Sequence, residues 1–295
     1  MIESAFLVLT TRCTRTCPHC FYVTGHQSRV EVEMDADTVL GALEGLQGKG
    51  LRAVIITGGE PLLRDDLESI IAGSASMGLW TLLLTNGDLL TLERTAGLEA
   101  AGLDAVSLAL DSLSEGSLKS ARRVMTHLAL RSGMDVTAIT TLTRINAGEL
   151  EAVMDLAGSL SAGHLAGPAF IPETSPAYPD LSLDFLDEEE LDHLCGVLDA
   201  WAERTGATGY ARLVKSLLRG TDTRPSRCTM GTASLVINPD GRVLPCFHRE
   251  DLDCGNVTAD NIDEVLARLR TLARPLWMAP CFGAHCVTLF TGFSS

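Results

Sequence analysis

Short apolar runs alternate with longer amphipathic segments over residues 5–171, and this alternation limits the choice of fold more than composition does. The apolar runs, which we predict to be strands, are residues 5–10, 52–57, 80–85, 104–110, 134–141 and 165–171. The segments between them repeat apolar positions near a 3.6-residue period, which predicts helices; they are residues 37–49, 65–77, 89–101, 115–132 and 147–161. Six such units predict an α/β fold with a parallel sheet, most simply a partial (β/α)6 barrel.

The rest of the chain predicts a second, smaller unit. Residues 172–185 carry three prolines and few periodic apolar positions, as in a linker. A helix is predicted next, and then a hairpin whose turn is Pro239-Asp240-Gly241, before a short last helix; these elements are residues 187–204, 232–246 and about 260–272. We therefore expect three regions, namely a barrel (1–172), a linker with helices (173–222) and a hairpin-plus-helix domain (223–295).

Composition and charge exclude several classes of protein. Hydrophobic residues make up 46% and charged residues 21% of the 295, which is ordinary globular usage. The formal net charge of −15 argues against a nucleic-acid partner. Neither a secretory leader nor an apolar run of membrane-spanning length is found, so we expect a cytoplasmic protein with no membrane partner. In that reducing location nine cysteines are better explained as metal or cluster ligands than as disulfides.

Three cysteines follow the first predicted strand within eight residues: Cys13, Cys17 and Cys20. Thiolates hold iron–sulfur clusters, and a cubane with only three protein ligands leaves one iron open to a small molecule. A closed zinc site needs four ligands, and His19 is an alternative fourth one. Ligand sites of α/β barrels lie at the carboxyl ends of the strands, where this cluster is predicted.

The sequence resembles the radical S-adenosylmethionine (SAM) superfamily in more than one place. The C-x3-C-x2-C spacing is the first, and Gly58-Gly59-Glu60-Pro61 at the end of the second strand is the second. The resemblance implies that the three cysteines bind a [4Fe–4S] cluster and that residues 58–61 receive the amino group of SAM. Weaker similarity extends this implied cofactor site to four further residues, namely His19, Asn86, Ser107 and Asn146.

The C-terminal cysteines resemble a second iron–sulfur module. Cys228, Gly241 and Cys246 form a C-x12-G-x4-C pattern, similar to the start of the SPASM and Twitch extensions. With Cys281 and Cys286, four ligands are available, which implies one auxiliary [4Fe–4S] cluster of the Twitch kind. A structural zinc ribbon with four cysteines is the alternative.

Two cysteines remain after this assignment. Cys195 lies on the apolar face of the 187–204 helix and is expected to be a small core residue. Cys254 stands at an aliphatic position, where it is either core filling or a thiol at the barrel mouth. A thiol there could donate hydrogen to a substrate radical and so invert a stereocentre.

The expected function follows from that spare thiol. The size and single auxiliary cluster resemble enzymes of aminoglycoside biosynthesis, and we expect an epimerase of the neomycin type with Cys254 as the hydrogen donor. The expected substrate is cationic, bound by Asp111, Glu173 and Asp180 at the rim, and an electron donor such as flavodoxin or ferredoxin is implied. A dehydrogenase, a peptide-modifying maturase and a non-catalytic iron–sulfur or zinc protein are the alternatives.

Overall fold

The structure is a computed structural model that describes residues 1–114, 124, 134–221 and 229–273. Its core is an eight-stranded sheet in the order β6-β5-β4-β3-β2-β1-β7-β8. All pairs are parallel except β7–β8. The strands are β1 (Ser4–Val8), β2 (Ala53–Thr57), β3 (Trp80–Thr85), β4 (Ala105–Ala109), β5 (Asp135–Leu142), β6 (Gly163–Pro168), β7 (Ser234–Ile237) and β8 (Val243–Leu244).

The helices connect the strands and extend beyond the sixth of them. Within the described residues they are α1 (Ala36–Gln47), α2 (Leu67–Ser76), α3 (Leu92–Ala100), α4 (Leu150–Ser159), α5 (Tyr178–Leu181), α6 (Glu188–Thr205), α7 (Thr208–Leu218) and α8 (Ile262–Ala273). Single 3-10 turns cover Pro61–Leu63, Ala147–Glu149 and Leu183–Phe185. No helix in the described ranges is long and apolar enough to cross a membrane.

The six predicted strands and the α/β class are confirmed, because every apolar run coincides with a strand of the parallel sheet. The helix predicted over 115–132 lies outside the described residues except for residue 124. The predicted linker contains α5 and one 3-10 turn, and α7 was not predicted. The three domain boundaries remain a prediction.

The C-terminal hairpin joins the barrel sheet, which sequence patterns did not indicate. β7 pairs in parallel with β1, with Ser4 opposite Ser234 and Leu7 opposite Ile237. The hydroxyls of Ser4 and Ser234 lie 2.7 Å apart in a buried hydrogen bond. β1 therefore has a neighbour on both sides, and the strand that leads to the cysteines is central.

The two faces of the sheet are covered differently. The outer face packs against the helices in a large apolar core that includes Leu7, Leu9, Leu43, Leu46, Ile56, Ile70, Leu83 and Leu235. The inner face over β1, β2 and β7 is filled by a smaller cluster, which is Phe6, Val8, Ile55, Met230, Val236, Leu244 and Cys246. A third cluster packs α6 and α7 against α4. The C-terminal segment thus fills one part of the barrel interior.

Candidate functional site: the cysteine loop and the strand ends around it

The cysteine loop leaves β1 and lies directly against the end of β2. Beyond the strands, Gly59 N donates to Thr10 O and Glu60 N donates to Arg12 O, both at 2.8 Å. A Cβ on Gly58 would come within 3.0 Å of Thr10 O, and one on Gly59 within 3.0 Å of Arg12 O, approaches that side chains essentially never make. The two glycines are therefore required by the backbone that leads into Cys13.

Glu60 joins the end of β2 to the end of β3. It is fully buried, and its carboxylate accepts hydrogen bonds from Leu62 N (3.0 Å), Thr85 Oγ1 (2.8 Å) and Asn86 N (2.8 Å). Burial raises the pKa of Glu60, while these hydrogen bonds act in the opposite direction. The carboxylate caps the turn that starts at Pro61. Glu60 thus fixes two strand ends next to the cysteine loop.

Polar groups at the end of β3 surround Cys13. Asn86 Nδ2 lies 3.7 Å from Cys13 Sγ and 3.0 Å from Thr14 Oγ1. Arg15 donates to Asn86 O at 3.1 Å and forms an ion pair with Asp88, with Nε 2.8 Å from Oδ2. Thr14, Arg15 and Asp88 were not predicted, because they meet across more than 70 residues of sequence.

Glu33 holds the start of the cysteine loop from the opposite side. Its carboxylate accepts from Thr10 Oγ1 at 2.5 Å and pairs with Arg12 at 3.0 Å. The buried Arg64 approaches the same carboxylate at 3.5 Å and donates to Leu9 O. Sequence analysis missed this support as well, since nothing local pairs an acid at 33 with a strand end at 10.

The structure places His19, the fourth ligand in the zinc alternative, beside a carboxylate. His19 Nε2 lies 3.5 Å from Asp111 Oδ2, so the ring pairs with a carboxylate at the end of β4. Within the described part of the chain, no three His, Cys, Asp or Glu side chains are grouped to hold a single metal ion. The ligands of a cubane lie farther apart, because each binds a different iron. Cys13, Cys17 and Cys20 are all partly exposed, as an incoming cluster requires.

Ser107 and Asn146 have different surroundings. Ser107 lies opposite Leu84 on the inner face of the sheet, where a cofactor in the barrel would meet it. Asn146 uses all four of its amide hydrogen bonds within the chain: Oδ1 accepts from Thr143 N and Oγ1, and Nδ2 donates to Asp111 O and Thr141 O. As placed, Asn146 joins the ends of β4 and β5. A cofactor contact for either residue remains a prediction.

The auxiliary ligands are described only in part. Cys246 is buried in the inner-face cluster, two residues after β8. Cys228, Cys281 and Cys286 lie outside the described residues. The assignment of these four cysteines to one cluster therefore stays a prediction about the individual ligands.

Cys254 does not face the barrel mouth, and its predicted role as hydrogen donor is wrong. The side chain is 0% exposed and belongs to the outer apolar core, on the opposite side of the sheet from Cys246. Its backbone N–H donates to Val243 O at 3.1 Å. Burial raises the pKa of the thiol to about 11. Cys254 is core filling, as is Cys195, which is confirmed as a buried residue of α6.

The three carboxylates of the predicted mouth have different surroundings. Glu173 and Asp180 are exposed on the surface segment after β6. Asp111 is engaged by its own chain, since its Oδ1 accepts from Thr141 N at 2.7 Å and its Oδ2 faces His19. Their grouping into one binding site stays a prediction.

The family of the chain follows from profile comparison. The profile of the Radical SAM superfamily matches residues 7–157, more than half of the chain, and this chain belongs to that superfamily. An iron–sulfur cluster-binding domain, SPASM, matches residues 228–286. Its cofactors are therefore SAM and two [4Fe–4S] clusters, one that binds SAM and one that is auxiliary. The partly exposed cysteine loop, which carries the three implied ligands of the SAM-binding cluster, is consistent with this assignment.

One curated relative and two solved structures are similar to this chain over most of its length. The chain is 29% identical over 255 residues to the PqqA peptide cyclase of Methylorubrum extorquens strain PA1, which covers 83% of this chain and 65% of that protein. The structure of anSMEcpe with bound AdoMet has a TM-score of 0.71 at 17% identity and covers 95% of this chain and 84% of that one. Streptococcus suis SuiB bound to precursor peptide SuiA has a TM-score of 0.67 at 13% identity, covering 92% and 67%.

These comparisons confirm the partial-barrel fold and overturn the expected function. The curated relatives include PqqA peptide cyclases from several bacteria, not aminoglycoside epimerases. The expectation of an amino-sugar epimerase is therefore wrong, in agreement with the buried Cys254. This chain spans only 65% of the length of the first of these relatives, so their activity does not transfer to it as a fact.

Proposed function

We propose that this chain is a radical SAM enzyme that modifies a peptide. The observation that carries the proposal is the similarity to PqqA peptide cyclases, which extends over 83% of the chain. The fold shared with SuiB, whose structure holds a precursor peptide, supports it. Peptide modification was the maturase alternative from the sequence, and it now replaces the epimerase.

The barrel interior supports a substrate without a dense positive charge. Over β3 to β6 the inner face is partly exposed, and its side chains are aliphatic or hydroxyl-bearing; they are Leu82, Leu84, Ala109, Thr137, Ile139, Thr141 and Leu165. His19 and Asp111, 3.5 Å apart, lie at the strand ends. Such a surface suits peptide side chains better than an aminoglycoside, because multiple ammonium groups need nearby carboxylates.

The chain's own residues position the reaction. When bound, SAM and the reduced cluster supply a radical that removes hydrogen from an unactivated C–H bond. Glu60, Asn86 and Arg15 hold the ends of β2 and β3 against the cysteine loop, and so fix where that chemistry occurs. The inner face orients the substrate and keeps water out. A one-electron donor such as ferredoxin or flavodoxin and a cytoplasmic location are parts of the same proposal.

The test is an anaerobic assay with the cluster-loaded protein, SAM and dithionite. The probes are synthetic PqqA peptide and a panel of other synthetic peptides. We expect one peptide to lose two hydrogens by mass spectrometry, with 5′-deoxyadenosine formed in proportion and no product from Cys13→Ala. A parallel panel of aminoglycosides should be unchanged. If only a non-peptide compound is converted, the proposal is wrong.

A further inference from the structure

Four aromatic rings meet between the cysteine loop and the loop after β8. We call them the ring cluster: Phe21, His26, Phe170 and His248. Phe21 lies 5.5 Å from His248 and 5.0 Å from His26 between ring centroids, and Phe170 lies 4.5 Å from His26 and 4.7 Å from His248. His26 Nε2 and His248 Nδ1 are 2.9 Å apart, a hydrogen bond within the cluster.

The ring cluster connects parts of the sheet that do not pair with each other. Phe170 follows β6, one end of the strand order, and His248 follows β8, the other end. Phe21 and His26 follow β1, which is central. Contact between Phe170 and His248 therefore joins the segments that follow the two edge strands of the sheet.

Two more hydrogen bonds join the same two loops. Gln27 Nε2 donates to Phe247 O at 2.8 Å, and Ser28 N donates to Glu250 Oε2 at 3.1 Å. Phe247 also packs edge-on against Phe6 of β1, with centroids 5.5 Å apart. The loop after β8 thus contacts the cysteine loop, and it also contacts β1, the strand that precedes the cysteine loop.

The contacts fall next to both sets of cluster ligands. Phe21 is the residue after Cys20, and His248 is two residues after Cys246. The ring contacts therefore join the loop that carries Cys20 to the loop that carries Cys246. When a side chain holds a metal ligand in place without touching the metal, its substitution commonly changes the affinity for the metal and the properties of the bound group.

We propose that the ring cluster is a positioning device that fixes Cys246 relative to Cys13, Cys17 and Cys20, with His26 acting on the auxiliary cluster from the other cluster's loop. The inference is independent of the proposed peptide substrate, since it concerns only how the two cluster loops are held together. It assigns a role to residues that sequence motifs did not single out as a group.

The test uses the full-length chain with Cys13, Cys17 and Cys20 all changed to Ala, so that only the auxiliary cluster can be loaded. In that background we expect His26→Ala to lower the apparent affinity for iron on the order of tenfold and to shift the EPR spectrum of the reduced cluster. His26→Gln, which can still form a hydrogen bond with His248, should restore both. His193→Ala, a change of an exposed histidine on α6, is the matched control and should alter neither.

Iron affinity and EPR spectrum that are the same in His26→Ala as in its background would overturn the proposal. If His26→Ala does not fold, as judged by circular dichroism, Phe170→Leu is measured in its place. That variant keeps an apolar side chain between the sheet ends but removes the ring contacts. An unshifted EPR spectrum in Phe170→Leu would likewise contradict a positioning role. Peptide turnover enters neither readout, so failure here leaves the proposed function untouched.

Discussion

Several residues of the site act by holding the backbone of other site residues in place. Gly58 and Gly59 are needed because the backbone of Thr10 and Arg12 passes directly beside them. The motif was predicted from sequence as a place where backbone comes close to a ligand. The structure adds that it also comes close to the cysteine loop, which no local pattern could show.

Gly59→Ala should disturb the cysteine loop far more than a typical glycine substitution. The new Cβ would overlap Arg12 O, a backbone atom that cannot rotate away. We expect Gly59→Ala to lose most SAM-binding-cluster iron, measured with Cys246→Ala present to remove the auxiliary signal. Gly41→Ala in α1 is the control, because nothing lies within 4 Å of its Cβ. It should keep its iron and gain about 0.5–1 kcal/mol of stability. Equal iron loss in both variants would contradict this explanation.

Cys254→Ala should retain catalysis. The thiol is buried on the helix side of the sheet, so its removal costs packing, about 1 kcal/mol of unfolding free energy, and no chemistry. The measurements are the rate of 5′-deoxyadenosine formation and the yield of modified peptide per folded molecule. SAM cleavage that continues without peptide product would show that the thiol does take part.

His164 makes the stability of the fold depend on pH. Thr140 Oγ1 donates to Leu110 O at 2.8 Å, so it accepts from His164 Nε2 at 2.9 Å. His164 Nδ1 is buried and has no hydrogen-bond partner among the described residues. Burial lowers the pKa of His164 to about 4.

Between about pH 4 and pH 6.5, His164 is therefore neutral in the folded state and protonated in the unfolded state. An unfolded histidine titrates near pH 6.5, so the unfolded chain binds more protons between pH 6.5 and about 4, and stability falls as the pH drops through this window. The loss is on the order of 3 kcal/mol. Anaerobic urea unfolding of the cluster-loaded protein should show a smaller loss in His164→Gln, and an unchanged one in His193→Gln. Identical pH profiles for His164→Gln and the wild type would exclude this histidine as the cause.

At the scale of elements, the sequence predicted the six strands of the barrel but not the pairing of β7 with β1. β1, β2 and β4 are buried on both faces, which leaves a continuous apolar signature in the sequence. β3, β5 and β6 keep partly exposed positions, and their apolar or hydroxyl-bearing side chains were still enough to predict strands. The position of β7 beside β1 depends on pairing across 230 residues. The amphipathic α7 was missed because it directly follows α6, with only Gly206 and Ala207 between them as a break.

A chain that ends after residue 221 should not remain soluble. Its loss of β7 frees one edge of β1, and its loss of Met230 and Phe247 uncovers Phe6 on the inner face. We expect the truncated chain in the insoluble fraction on expression, measured against the full-length protein. Full-length Cys228→Ala with Cys246→Ala keeps the strand but lacks two predicted ligands, and should stay soluble. Aggregation of both would assign the effect to the cluster instead of to β7.

At the scale of the whole molecule, the sequence motifs predicted the cofactors correctly but not the substrate. The cysteine spacing and Gly58 to Pro61 predicted SAM and iron–sulfur clusters, because these groups are bound by short local segments. The substrate was predicted wrongly, since it depended on net charge and one spare thiol, and both are compatible with many partners.

The central place of β1 governs the order in which this protein can mature. A ribosome makes β1 first, yet its second neighbour is complete only when Ile237 has been synthesised. At roughly 5–20 residues per second, the nascent strand waits for ten seconds or more with an open edge. The edge of β1 beside the cysteine loop therefore stays unpaired during most of synthesis, and the sheet can close only after β7 has emerged.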